Sequence, residues 1–487
     1  MIFLLACVLA LESADAATIG ATAVQLERSL NIGNAQVGLL VSVSTGVGAV
    51  ATLPAGALTD RVNRTGMLAI AILAWAIAMG LGALSPTYLW LLLTRVALGA
   101  VVATAAPVVA SLIGDYFPVG ERGRIYGFIL SGELVGAGIG LVISGDVAAA
   151  SSWRYAFGLL AVPSVVLAWA IWRRLPEPAR DGSSRLAPGT EELEEAVDTG
   201  TPAEDQEAQE AAGQERDDQA SEEVRAEEVS PHDDLVLERD PSRRSLWWAV
   251  RYVLSIPTNR ILIVSSALGF FFFSGLRTFT VVFVRGRYGL DQGVTNVLVF
   301  VLGLGAILGV LVGGRLADQL LSRHHLTARP LVAGVAFLVT SFLFLPGLST
   351  ATLLISAPLF FIAAAALGGS NPPLDAARLD LMPARLWGRA EAVRTVLRYA
   401  LGAVAPVLFG YLSTQLGGAS APQRTEAAKQ VSARAAAGLA ETFQIMLVPL
   451  LIAGVLIVVW ARRTYPRDVA TAVASDESIK RHEEDER

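Results

Sequence analysis

Apolar blocks of roughly 20 residues recur along this chain, separated by short polar breaks. A helix rising 1.5 Å per residue needs about that length to cross ~30 Å of hydrocarbon. The blocks fall at 2–25, 36–58, 66–86, 88–112, 125–148 and 154–173, then at 260–284, 292–315, 329–348, 351–374, 394–416 and 440–461. The pattern predicts an all-α membrane protein with twelve transmembrane helices, arranged as two six-helix bundles. Residues 1–174 form the first bundle, 175–245 a disordered linker, 246–463 the second bundle and 464–487 a tail. The run from Trp247 to Ser255 predicts a short interfacial helix ahead of the seventh span.

Composition agrees, since 53 % of the 487 residues are hydrophobic and mean hydropathy is +0.52. Charge divides the chain further. Between Glu191 and Asp240 there are 20 acids and three bases, a net of −17, while the remainder carries +11. Such an acidic, weakly apolar segment does not bury enough surface to fold by itself. Bases cluster after the even-numbered spans, as at Arg61 and Arg64, Arg122 and Arg124, Arg173 and Arg174, and Arg462 and Arg463. The positive-inside rule then places both termini and the linker in the cytoplasm, with the loop 417–439 as the one exception. The expected location is the cell membrane, crossed many times. Cys7 is the only cysteine, which excludes intrachain disulfides and multi-cysteine metal sites. The apolar start lacks a charged n-region and is read as a first span rather than a signal peptide.

Two loop motifs repeat. Gly56-Ala57-Leu58-Thr59-Asp60 recurs as Gly314-Arg315-Leu316-Ala317-Asp318. Asp115-x-x-Pro118-x4-Gly123-Arg124 recurs at the same spacing as Asp380-x-x-Pro383-x4-Gly388-Arg389. The offsets are 258 and 265 residues, as expected for pseudo-symmetric halves, a known transporter plan. With Arg61 and Arg64 completing the first motif, the sequence resembles the major facilitator superfamily across both halves. That resemblance implies a gate in which the Asp60 loop closes the cytoplasmic side. Arg95-x-x-x-Gly99 matches a second family motif. Gly127-x8-Gly136-x3-Gly140-Leu141-x-x-Ser144-Gly145 approximates a glycine motif of its antiporters, with Leu141 in place of the usual proline. Pro406 and Gly410 occupy the equivalent places in the second half. These small or helix-bending residues serve either as hinges or as close-packing points. Within the superfamily the likeness is to the spinster-like branch, on Glu12-Ser13-Ala14-Asp15 and on Gly388 to Thr395.

Charges within apolar spans cost about 2.5–3.5 kcal/mol each at mid-membrane and call for a reason. Glu12 and Asp15 share one helix face, and Asp15 and Arg95 lie at overlapping depths, about 15 and about 10 Å from the outer surface. An Asp15–Arg95 pair is therefore expected, either coupling proton movement or holding two spans together. Glu133 in span five is a further coupling candidate. Arg277 follows Phe270-Phe271-Phe272-Phe273, a pattern suited to an amphipathic anion, while Ser370-Asn371-Pro372-Pro373 is a broken polar stretch suited to a cavity wall.

No phosphate-binding loop, zinc motif or nucleophile elbow is present, and all four histidines lie in loops or the tail. The expectation is a non-enzymatic secondary transporter working by alternating access, without cofactor, metal or nucleic acid, as a monomer. The favoured reading is proton-linked export of a hydrophobic or amphipathic solute. Uptake of a small organic anion held by Arg95 and Arg277 is a second reading, and a transporter-like receptor or scaffold signalling through the linker is a third.

Overall fold

The computed structural model describes residues 1–59, 62–102, 119–177, 229–239, 244–383, 386–417 and 433–485, plus isolated positions within 104–112 and at 224, 225 and 241. Within these, the side chains of 52–59 and of most of 119–134 are not described. Helices α1 (Ile2–Leu30), α2 (Asn34–Thr59), α3 (Arg64–Ala83), α4 (Tyr88–Val102), α5 (Val119–Ala150) and α6 (Trp153–Arg174) precede the linker. After it come α7 (Leu246–Ser255), α8 (Pro257–Tyr288), α9 (Gln292–Leu321), α10 (Ala328–Ser349), α11 (Leu353–Gly369), α12 (Asn371–Asp380), α13 (Trp387–Gly417), α14 (Ala433–Leu456) and α15 (Arg462–Asp485). Among the described residues there is no strand. Among the described residues, ten helical stretches are long and apolar enough to cross a membrane, and two shorter apolar ones, Tyr88–Val102 and Val135–Ala150, stand where spans four and five are expected.

Small residues decide the closest packing. Gly132, Gly136 and Gly140 recur every fourth position on α5 and lie against Ala6, Ala10 and Ala14 of α1. A Cβ on Gly140 would come within 2.5 Å of the Ala14 backbone. Lipid tails are as apolar as leucine, so helices in a membrane gain from intimate backbone contact rather than from burial. In the second half, Gly305, Gly309 and Gly313 of α9 do the same against Phe361, Ala365 and Gly369 of α11.

Two compact units emerge, one of residues 1–211, 274–300 and 403–441 and the other of 212–273, 301–402 and 442–487. In the first unit, Gly38 of α2 meets the Pro406 carbonyl of α13, and Gly410 of α13 meets Asn34 of α2. Both α13 residues thus lie at close backbone approaches to α2. In the second unit, α11 stops at Ser370 and α12 restarts with Pro372 and Pro373 in its first turn. Proline lacks the amide that a continuing helix needs, and it fits a new first turn.

Parts of the linker and the tail have a described place in the second unit. Residues 229–239, placed by the sequence within the disordered linker, run along α15. The tail is itself helical: α14 continues through a π-turn, Ile457–Ala461, into α15. These elements together span 53 residues, about 80 Å, far beyond a bilayer core. The polar α15 therefore lies past the membrane. Its apolar side, including Val469, Ala470, Ala472 and Ile479, is buried.

Candidate transport site

Within the first unit, α1 and α4 present the charges expected to meet. Arg95 Nη1 donates to Asp15 Oδ1 at 2.8 Å. Asp15 is 5 % and Arg95 1 % exposed. The guanidinium is boxed in further: its carbon lies 4.6 Å from the centroid of the Phe157 ring on α6, and Nη2 is 3.5 Å from Met79 Sδ on α3. Arg95 Nε has no hydrogen-bond partner among the described residues. The pair thus knits four helices together in a medium where each charge alone is expensive.

The same helix carries the neighbouring polar groups. Thr18 Oγ1 and Ser144 Oγ lie 2.8 Å apart, joining α1 to α5 one turn beyond Asp15. Arg277 of α8 donates from Nη2 to the Ser13 carbonyl at 2.9 Å. This arginine thus reaches α1. It is Arg398 of α13, in the second unit, that lies over Phe270, 4.2 Å from its centroid. Glu12 borders a small cavity of about 30 Å³ lined mainly by apolar side chains, among them Leu68, Trp75 and Val101. That volume holds one or two waters rather than an organic solute.

Other predicted residues take different places. Glu133 lies on α5, but its side chain is outside the described residues, as are those of Arg124 and Arg389. Asp60, Arg61 and Asp115 are also outside them, and Gly56 is described only as backbone of α2. Ser370 donates to the Leu367 carbonyl at 2.7 Å and Asn371 to that of Gly368 at 3.5 Å, so both serve the break between α11 and α12. Gly145 faces the side chains of Asn296 and Gln292, and Gly314 lies beside Pro372.

The second copies of both loop motifs converge. Asp380 pairs with Arg329 and accepts a hydrogen bond from the hydroxyl of Tyr465, while Asp318 lies 4.0 Å from the same arginine. Arg329 opens α10, and its signal lies in the repeat, since 265 residues earlier stands Arg64 at the start of α3. Arg64 Nε donates to Glu177 at 3.0 Å, and the Arg64 and Thr65 amides donate to the same carboxylate at 3.1 and 2.8 Å. Burial pushes the Glu177 carboxyl up, but these donors at a helix N-terminus outweigh it and hold it below its ordinary range.

Sequence reasoning missed a network centred on two neutral amides, Gln292 and Asn296, in the first unit. Gln292 Nε2 donates to the Ala21 carbonyl at 3.2 Å and to Asn296 Oδ1 at 2.9 Å. Arg285 donates to Gln292 Oε1 at 2.6 Å, and Asn296 Nδ2 donates to Asp146 Oδ1 at 2.7 Å. Asn34 Nδ2 donates to Ser413 Oγ at 3.0 Å. These bonds join α8, α9 and α13 to α1, α2 and α5 within the unit.

Comparison with known proteins fits this arrangement. The family model of the Major Facilitator Superfamily matches residues 5–406. A crystal structure of a bacterial homolog to the human lysosomal transporter Spinster, described as inward-facing and unoccupied, shares the fold. Its TM-score is 0.74 at 18 % identity, over 96 % of this chain and 97 % of that one. Human protein spinster homolog 1 is 28 % identical over 180 residues, 36 % of this chain and 35 % of that protein. A probable L-galactonate transporter of Escherichia coli is 25 % identical over 154 residues, 32 % of this chain and 34 % of that protein. Both curated relatives are thus matched over about a third of their length.

Proposed function

Because this chain belongs to the major facilitator superfamily and is a multi-pass membrane transporter rather than an enzyme, we propose that it exports a hydrophobic or amphipathic solute in exchange for protons. The observation that carries this reading is the sealed Asp15–Arg95 pair. Two opposite charges taken from water are tolerable only together, and a carboxylate parted from its cation in a dry interior takes up a proton. Rocking between two states that make and break the pair would therefore bind and release a proton. The termini and linker would lie in the cytoplasm, following the distribution of bases.

An amphipathic cargo is favoured over a small anion because Arg95 is neutralised by Asp15 and covered by Phe157. Uptake of an organic anion remains the second reading, supported by the similarity to a probable L-galactonate transporter and by the half-buried Arg277.

The test is purified protein in proteoliposomes with an imposed pH gradient and a panel of amphipathic and carboxylate solutes. The native chain should move an amphipathic solute against the proton gradient, whereas Asp15→Asn should retain downhill exchange and lose the response to pH. Gradient-driven transport that survives in Asp15→Asn would overturn the coupling role. Preference for carboxylates would favour the second reading.

A further inference from the structure

Helix α7 has two faces of opposite character. Ala249, Tyr252, Val253 and Ile256 are buried in an apolar cluster with Met382 and Leu386. On the other side, Trp247, Arg251 and Leu254 follow one another at intervals of four and three, the spacing of one helix face. Trp247 is 81 % and Leu254 39 % exposed, and Arg251 is exposed as well. Arg244, also exposed, lies just before the helix with its guanidinium over the Trp248 ring, and Arg260 is exposed in the first turn of α8. The helix is fixed in place by the Ser245 cap, which accepts from the Trp248 amide at 3.2 Å, and by the Tyr252 hydroxyl, which donates to the Leu235 carbonyl at 3.0 Å.

We propose that this face binds the headgroups of anionic phospholipids in the leaflet where α8 enters the membrane. Three features select that occupant. Only Ile256 separates α7 from α8, which fixes α7 at the level of the headgroups. A fully presented indole beside a leucine suits the boundary of hydrocarbon and water, where tryptophan accumulates. No Asp or Glu stands between Asp240 and Asp291, and although Arg260 has Asp468 of α15 nearby, Arg244 and Arg251 present positive charge that suits phosphate-bearing lipids of net negative charge. The acidic linker matches the arginines in charge, but its few, scattered apolar residues, such as Leu193 and Val197, suit Trp247 and Leu254 less well than acyl chains do.

The proposal concerns lipid contact and stands apart from the identity of the cargo. It is tested on the full chain in nanodiscs of mixed phosphatidylcholine and phosphatidylglycerol, with bromine on the acyl chains of one lipid at a time. Bromine quenches nearby tryptophan, and comparison with Trp247→Phe isolates the contribution of that residue from the other eight. Brominated phosphatidylglycerol should quench Trp247 more than brominated phosphatidylcholine at equal proportion. Arg251→Gln should cut that preference about five-fold, and Arg244→Gln with Arg251→Gln should abolish it, with unchanged thermal unfolding as the control for folding. Equal quenching by the two lipids would overturn the proposal. So would quenching that appears only after deletion of residues 185–220, which would make the linker the occupant.

Discussion

Asn296 donates from Nδ2 to Asp146 Oδ1 at 2.7 Å, and so ties the beginning of α9 to the far end of α5. Asn296 is buried and also accepts from Gln292, which reaches the Ala21 carbonyl. The surroundings are tightly packed, since a Cβ on Gly145 would lie 2.5 Å from Asn296 Nδ2. The network is a clasp in which the Gln292 and Asn296 amides link a carboxylate and a guanidinium, at the end that would face outward on the proposed topology.

Opening that end must break these bonds. Asn296→Ala is expected to weaken the closed arrangement by about 1–3 kcal/mol, the usual cost of leaving buried polar groups unpaired. With Ser144→Cys as reporter, a membrane-impermeant thiol reagent added outside should react roughly five- to a hundred-fold faster in the Asn296→Ala background. Unchanged reactivity would mean that the clasp plays no part in closing that side.

The Asp15–Arg95 pair predicts a characteristic pattern of stability. Removing one partner strands the other charge in the interior, at a cost of about 3–5 kcal/mol. Asp15→Asn and Arg95→Gln should each lower the unfolding temperature in detergent sharply, and the double variant should recover much of the loss. Additive losses would show that the pair is not the source of the effect.

Glu177 supplies a pH dependence. Its carboxyl is held below the ordinary range in the folded protein by the Arg64 guanidinium and the Arg64 and Thr65 amides, against the upward push of burial. A group depressed on folding binds its proton more readily in the unfolded chain, so it stabilises at and above neutral pH. That contribution fades as pH falls below about 4.5 and is gone beneath the folded value. The native protein should therefore lose stability on acidification more steeply than Glu177→Gln, which should begin lower at pH 7 and change less. Parallel pH profiles for the two would refute the role.

The helical bundle was legible because the apolar blocks match the bilayer thickness, and the Asp15–Arg95 pair because each charge is costly at its depth. The glycine spacing was legible too, and contacts with Ala6, Ala10 and Ala14 show that Gly136 and Gly140 serve packing. What escaped notice has a physical reason in each case. Gln292 and Asn296 are neutral, and amides near the end of a span barely alter its hydropathy. Arg329 looks like one more base at a membrane edge, although the 265-residue offset from Arg64 marks it as the partner of the repeated aspartates. The contact of Arg277 with the Ser13 carbonyl of α1 is not legible from its phenylalanine neighbours in sequence, because a helix turns successive residues by about 100°. The segment 229–239 was hidden by the surrounding acids, which outweighed the short apolar run Leu235-Val236-Leu237.

That segment supports the last prediction. The His232 and Leu237 amides donate to Thr471 and Ser475 of α15 at 2.9 and 3.0 Å, and Leu235 and Leu237 pack on the apolar cluster beneath α7. Asp468 of α15 is fully buried, and it accepts from the Thr258 amide in the first turn of α8 at 2.8 Å, with His232 Nε2 3.3 Å away. First-turn amides have no partner inside their own helix, so Asp468 acts as a cap delivered from a distant part of the chain. Asp468→Ala should destabilise the start of α8 by about 1–2 kcal/mol and loosen the strap, whereas Leu235→Ser with Leu237→Ser should loosen the strap and leave the cap. Limited proteolysis within 229–239 should accelerate in both variants, and hydrogen exchange at the start of α8 should accelerate only in Asp468→Ala. If the strap stays protected in both, residues 229–239 are held by something other than these contacts.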